Sequence, residues 1–367
     1  MSVRRDRSLV TKWWWTIDRW LLLSLIILII CGVLASFSAS PAIAMKLGLP
    51  SLFFVKRHAL MLLLSTLLML FFSFLNPRNI RYIALFVYLV GLSLLLATLF
   101  YGPEIKGAKR WISIGSFSLQ ASEFMKPSFA ILSAWALSSR KFLLSFILLL
   151  LVIVFLLLQP DLGMTVVMVG IWGAQIFVMG LPFIILGGLI VLGMGGFFCA
   201  YLFLPHVTKR IQQFMQGTDP TGDMFQILQS LRAFDSGGIW GKGPGEGTIK
   251  HHIPDVHADF VFSVIGEEFG FFVCLFVASL FFFIVLRALI KASSYSNLFL
   301  MLSIAGLAIQ FGIQSFVNIA SSLHLIPTKG MTLPFLSYGG SSCLALGIGM
   351  GMLLALTRKR HGVIEEV

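Results

Sequence analysis

Asp255, His257 and Asp259 alternate along Ile253-Pro254-Asp255-Val256-His257-Ala258-Asp259, which runs directly into the apolar stretch Phe260-Val261-Phe262. A carboxylate at the mouth of an apolar helix has two uses. It can cap the first turn, accepting backbone N–H groups at the positive end of the helix dipole. It can instead face a polar cavity and act as a base, because ionisable groups at membrane depth mark functional sites. Both readings stand for Asp259. At 100° per residue, Ser263, Gly266 and Gly270 fall within about 40° of its direction. That face is suited to close packing on a neighbour or to lining a cavity. Glu267, about 80° round the helix, is a second intramembrane acid. His251, His252, Asp255, His257 and Asp259 are metal-ligating types without a recognised spacing such as HExxH. Zinc is therefore disfavoured. A loosely held Mg²⁺ or Mn²⁺, shared between carboxylate and diphosphate oxygens, suits hard oxygen donors better.

Other charges gather at the ends of apolar runs. Lys109 and Arg110 lie in Gly107-Ala108-Lys109-Arg110-Trp111, as interface anchors or as the wall of a polar cavity. Glu123 and Lys126 share one helix face at i,i+3 spacing, and two charges at a span entrance must pair or face water. Asp161, in Gln159-Pro160-Asp161-Leu162-Gly163, is placed to cap the helix that follows. The stretch Gly237-Gly238-Ile239-Trp240-Gly241-Lys242-Gly243-Pro244-Gly245-Glu246-Gly247 lacks the GxxxxGK[ST] order of a nucleotide loop. It reads as a flexible turn whose N–H groups could cradle a diphosphate. Residues 326–342 mix Gly, Pro and hydroxyls on apolar ground, with Lys329, Ser337 and Ser341 among them. Such a segment enters the membrane only if it is buried in protein or lines water. Gly347 and Gly351 form a GxxxG helix-packing face.

The elements that must position these residues are apolar helices. Of 367 residues, 58% are hydrophobic and 11% charged, against about 25% charged in soluble chains, and mean hydropathy is +0.95. A bilayer core takes about 20 apolar residues per crossing. Ten segments suit: about 20–38, 58–75, 82–100, 122–138, 142–158, 163–180, 183–203, 260–286, 297–320 and 343–357. The expected fold is thus all-α, a polytopic integral membrane protein of about ten transmembrane helices and a single domain. Residues 1–19 form a cytoplasmic leader, 204–259 a large outer loop between helices 7 and 8, and 358–367 a cytoplasmic tail. The run Trp20–Phe37 is too long for a signal-peptide core, so it reads as an uncleaved first span.

The 27 Lys and Arg divide almost evenly between the two sides. Basic residues beside the spans nevertheless favour both termini inside, and most acids fall outside or near that face. The net charge of +12 is dispersed between spans, which argues against nucleic acid and for phospholipid headgroups or a diphosphate-bearing lipid. Cys31, Cys199, Cys274 and Cys343 lie far apart in apolar runs, as buried free thiols.

The blocks GAKRW, LQASEFMKP, QPDLG, IPDVHADFVFSVIGEEFG and PTKGMTLPFLSYGGSS occur in that order. Together they resemble the SEDS (shape, elongation, division and sporulation) family across nearly all ten helices. SASPAIA and the basic leader look more like its division-type members. The resemblance implies a peptidoglycan glycosyltransferase that polymerises lipid II into glycan strands at the periplasmic face of the bacterial inner membrane, at the division septum, releasing undecaprenyl diphosphate. It implies Asp259 as the catalytic carboxylate, with Glu123, Lys126, Arg110 and Lys329 shaping the cavity. Lys109, Asp161, His257, Ser337 and Ser341 complete the expected substrate-facing set. A class B penicillin-binding protein (a transpeptidase) and other division membrane proteins are the implied partners, beside lipid II and membrane lipids. The resemblance implies no definite cofactor, and a divalent cation, Mg²⁺ or Mn²⁺, is compatible with it. Ala258, Ala121 and Phe225 depart from the Thr, Pro and Tyr usual in the family, and none of these changes removes a charge. A lipid II flippase and a non-catalytic scaffold are the rival readings.

Overall fold

The computed structural model describes residues 8–104, 108–114, 117–180, 223–327 and 330–359, with isolated positions between 187 and 212. Ser8 caps a short helix, α1 (Leu9–Thr16), accepting the Thr11 N–H at 3.3 Å. Its Trp13 is buried, donating from the indole to Ser73 Oγ at 2.9 Å and stacking on Phe74 at 4.9 Å. Part of the expected leader therefore packs against the bundle. Asp18 caps α2 (Arg19–Lys46) through the N–H groups of Trp20 and Leu21, both at 3.1 Å. This helix continues beyond the expected span and carries Pro41 inside it, with Ala42, Ile43 and Ala44 buried.

Next come α3 (Phe53–Ser73) and α4 (Pro77–Tyr101). Proline at the first helical position of α4 sacrifices no intrahelical hydrogen bond. A small antiparallel hairpin follows, β1 (Ile112–Ile114) with β2 (Phe117–Leu119), pairing Ile112 with Leu119 and Ser113 with Ser118. Then come α5 (Ala121–Ser138), α6 (Phe142–Leu158), α7 (Leu162–Val178) and α8 (Asp223–Gly237). The remainder is α9 (Val261–Ser293), α10 (Leu298–Ser322) and α11 (Gly340–Leu356). Nine of the ten expected spans coincide with these helices, and the expected span 183–203 lies, but for isolated positions, outside the described residues. Among the described helices, α2, α3, α4, α9 and α10 are long and apolar enough to cross a membrane, and α6, α7 and α11 are shorter apolar helices.

Helix α5 is buried along nearly its whole length, between α4, α10 and α11. Charged residues at its start are therefore held in the middle of the bundle. Helix α11 lies against α3 as its GxxxG spacing suggests: a Cβ on Gly347 would collide with Ser65 O, and one on Gly351 would come within 2.6 Å of Met69 O. Ser65 Oγ donates to Cys343 O at 2.6 Å across this contact. Tyr88 ties α4 to α6 through Leu148 O at 2.6 Å. Cys31, Cys274 and Cys343 are free thiols, and Cys199 lies outside the described residues.

The long helix α9 breaks at Gly270 (φ 79°, ψ −176°), a conformation open essentially to glycine alone. The break frees two helix carbonyls. Glu267 O accepts the Lys242 N–H and Glu268 O the Gly243 N–H, each at 3.0 Å. The glycine-rich stretch is thus docked onto α9, and the N–H groups of Gly238, Gly241, Lys242, Gly243, Gly245 and Glu246 are engaged by the protein itself.

Candidate active site

Asp259 precedes α9 by two residues and is half-buried. The helix starts at Val261 with Phe260 at the cap position, and no side chain caps it, so the capping reading for Asp259 is set aside. Its main chain is fixed from two sides: the amide donates to Asp255 O at 3.1 Å, and its carbonyl accepts from Asn318 Nδ2 at 2.9 Å. The carboxylate faces Gly330, where an added Cβ would lie 3.8 Å from Oδ2. Lys329, immediately before Gly330, lies outside the described residues.

The polar-then-small face expected on α9 packs against a neighbour. Ser263 Oγ is 2.5 Å from Ser230 Oγ of α8, and a Cβ on Gly266 would strike Phe234. Asp259 itself lies two residues before the first helical residue, outside the regular register of that face.

His257 is buried in an aromatic stack, its ring 5.0 Å from both Phe54 and Tyr338. Burial holds its pKa below the ordinary value, with Asp255 acting in the opposite sense. The His257 carbonyl accepts the Tyr338 N–H at 2.8 Å. That bond ties the Asp259 stretch to the segment 330–339, the expected re-entrant element. Within the segment, Ser337 Oγ accepts the Leu333 N–H at 2.9 Å. Phe335 sits in the left-handed region (φ 63°). Its carbonyl lies against Gly32 of α2, where any Cβ would collide with it. Ser341 accepts from the Gln120 N–H at 3.0 Å and donates to Ser118 O at 3.2 Å, joining α11 to the hairpin and to the start of α5.

Glu123 and Lys126 pair at 2.8 Å with side chains 5% and 1% exposed. They face protein, not water. Lys126 Nζ donates to Gln314 Oε1 at 2.7 Å, and Gln314 Nε2 reaches Thr332 O at 3.1 Å and Ser342 Oγ at 3.3 Å. The pair is therefore wired to the segment beside Asp259. Asp161 caps α7 through the Met164 N–H at 3.3 Å and lies 3.8 Å from Arg110 Nε. Burial pushes its pKa up, against the opposing pull of Arg110. Arg110 also donates to Gln159 O at 3.1 Å and to Pro160 O, which locks the 108–111 stretch onto the α6–α7 turn. Gly163 brings this corner to the segment, since a Cβ added there would lie 3.6 Å from Met331 Sδ. Lys109 is half-buried.

Glu267 and Glu268 serve the outer loop. Glu267 accepts the N–H groups of Thr248 at 2.8 Å and Ile249 at 3.0 Å, and Lys242 lies 3.4 Å away. Glu268 accepts the Gly245 N–H at 2.7 Å and pairs with buried Lys250. His251, His252, Asp255, His257 and Asp259 do not converge as ligands: among the described residues no three His, Cys, Asp or Glu side chains could hold a metal ion.

Sequence reading passed over Gln314, Asn318, Thr332 and Ser342. A signal was present. Gln310, Gln314, Asn318 and Ser322 recur every four residues in an otherwise apolar helix, which places them on one face.

Comparison with known proteins agrees along the whole length. The family model for FtsW, RodA and SpoVE, described as "Cell cycle protein", matches residues 18–362. The chain is 41% identical to the probable peptidoglycan glycosyltransferase FtsW of Caulobacter vibrioides (strain NA1000 / CB15N), over 98% of this chain and 94% of that protein. It is 34% identical to the probable peptidoglycan glycosyltransferase FtsW of Haemophilus influenzae, over 94% and 91%. Among solved structures, it resembles a chain from work on the structural coordination of polymerization and crosslinking by a peptidoglycan synthase complex. That match has TM-score 0.79 and 28% identity, covering 93% of this chain and 97% of that one. It also resembles the Thermus thermophilus rod shape determining protein RodA, with TM-score 0.69 and 28% identity, covering 95% and 99%.

Proposed function

This chain belongs to the FtsW–RodA–SpoVE family of cell cycle proteins, and from that premise we propose that it is a peptidoglycan glycosyltransferase with Asp259 as its general base. The substrate is lipid II, polymerised at the periplasmic face of the bacterial inner membrane during septal wall synthesis. One observation carries the assignment of the base. Glu123, Asp161, Glu267 and Glu268 are buried and engaged by Lys, Arg or backbone N–H groups, and Asp259 is the acid that stands half-buried at the mouth of α9 with its carboxylate beside Gly330.

In the proposed step, the 4-hydroxyl of the acceptor GlcNAc attacks the anomeric carbon of the donor MurNAc from the side opposite the lipid diphosphate. Asp259 takes the hydroxyl proton as the new C–O bond forms. The bond from the anomeric carbon to the diphosphate oxygen breaks, and its electron pair leaves with undecaprenyl diphosphate. An α-linked donor thus yields a β-linked product. A glycosidase uses two carboxylates because its sugar leaving group must be protonated. Diphosphate is already a weak base, so one carboxylate suffices. The departing charge calls for cations, a role we give to Lys329, Arg110 and Lys109.

The working complex in this proposal includes a class B penicillin-binding protein and other division proteins, with both termini in the cytoplasm. The test is purified protein with its transpeptidase partner, in vesicles containing labelled lipid II. The proposal expects β-linked glycan strands and stoichiometric release of undecaprenyl diphosphate. Transbilayer movement of lipid II with no polymer would instead identify a transporter, and recruitment of the transpeptidase with neither would identify a scaffold.

A further inference from the structure

We propose that Asn318, with Gln314 one turn before it on α10, is a positioning residue that sets the distance between Asp259 and the segment Gly330-Met331-Thr332. This inference rests on the reading of Asp259 as the base. Both amides are buried, Asn318 at 2% and Gln314 at 1% exposure. Asn318 Nδ2 donates to Asp259 O at 2.9 Å and to Met331 O at 2.6 Å. One amide group therefore bridges the residue proposed to take the proton and the backbone of the segment that its carboxylate faces. Gln314 Nε2 takes the next carbonyl, Thr332 O, at 3.1 Å, while its oxygen accepts from Lys126 at 2.7 Å.

Two successive carbonyls of an irregular segment are thus held by side chains four residues apart on one rigid helix. Asn318 grips the main chain of Asp259 through its carbonyl, so the residue is anchored without using its carboxylate for that bond. Ser322 Oγ donates to Asn318 O at 3.0 Å, continuing the polar file toward α8. A helix-borne clamp is suited to this task because displacing a catalytic group by about 1 Å can cost about 100-fold in rate.

The experiment compares kcat and KM for lipid II, per folded molecule, in wild type, Asn318→Leu and Asn318→Asp with the transpeptidase partner present. Asn318→Leu is expected to lower kcat about 10- to 100-fold with KM within about twofold. Asn318→Asp is expected to lose as much and also to move the acid limb of the pH–rate profile upward, because a carboxylate placed near Asp259 disfavours its ionised form. Asn318→Ser covers the case in which Asn318→Leu does not fold, and its kcat is expected to fall about tenfold. Wild-type kcat per folded molecule in the variants, or a rise in KM in place of the fall in kcat, would overturn the clamp. Asp259→Asn serves as the control: if it polymerises normally, the reading of the base fails, whereas an inactive Asp259→Asn beside fully active Asn318 variants sinks the clamp alone.

Discussion

Glu123 and Lys126 hold opposite charges 2.8 Å apart with almost no solvent contact, so each depends on the other. Removing one partner leaves an uncompensated charge in the bundle, at about 3–5 kcal/mol, while replacing both by apolar or neutral groups is much milder. Lys126→Met should therefore depress the thermal unfolding midpoint in detergent far more than Glu123→Gln with Lys126→Met together. If the single and double variants unfold alike, the pair does not behave as a coupled buried unit. His257 offers a pH readout. Its pKa is depressed by burial, so the folded state binds fewer protons than the unfolded one. Stability from the neutral ring is complete above the unfolded value near about 6.5 and declines as pH falls below it. The unfolding midpoint is expected to drop between pH 7 and pH 5, with a shallower slope in His257→Gln, and equal slopes would contradict this. At this scale the sequence exposed the i,i+3 pair and the Asp161 cap, because both follow from local spacing. It concealed Asn318 and Gln314, whose partners lie far away along the chain.

At the scale of elements, the break in α9 joins a local conformation to a distant loop. Gly270 has φ 79°, and a Cβ there would collide with Gly241 N and Ile239 O. Gly270→Ala combines backbone strain of about 1–3 kcal/mol with loss of the docked loop. Faster proteolysis within residues 238–252 is the expected result, and an unchanged cleavage rate would show that the loop does not depend on the break. The GxxxG of α11 and the small face of α9 were legible because small residues at helical spacing mean close approach. Which neighbour approaches was not, since α8 has ordinary mixed polarity and no span-length apolar run to announce it. Helix α1 escaped notice for a related reason: eight residues with three tryptophans read as a leader until Trp13 finds Ser73 and Phe74.

Across the whole molecule, the end of α1 meets the residues that follow α11. Lys359 N donates to Thr16 O and Arg358 Nε to Thr16 Oγ1, both at 2.9 Å. The start of α2 and the end of α11 therefore lie on one face of the bundle, as the expected ten crossings predict. Exposed Lys12 and Glu246 should lie on opposite sides of the membrane. In a background without native cysteines, Lys12→Cys should react with an impermeant thiol reagent only after the cytoplasmic side is opened, and Glu246→Cys in intact spheroplasts. The opposite pattern would invert the orientation. Hydrophobic pattern alone revealed the bundle, because each crossing must satisfy its own backbone. The arrangement of charges inside it depended on packing.

The rate of lipid II polymerisation by Asp259→Asn and Asp259→Glu, measured beside wild type in the presence of the transpeptidase partner, bears most directly on the central assignment. A positioned general base contributes about 10²–10⁴-fold. Asp259→Asn should lose at least that much at unchanged lipid II affinity, and Asp259→Glu should retain part of the rate. Polymerisation by Asp259→Asn at the wild-type rate would contradict the account.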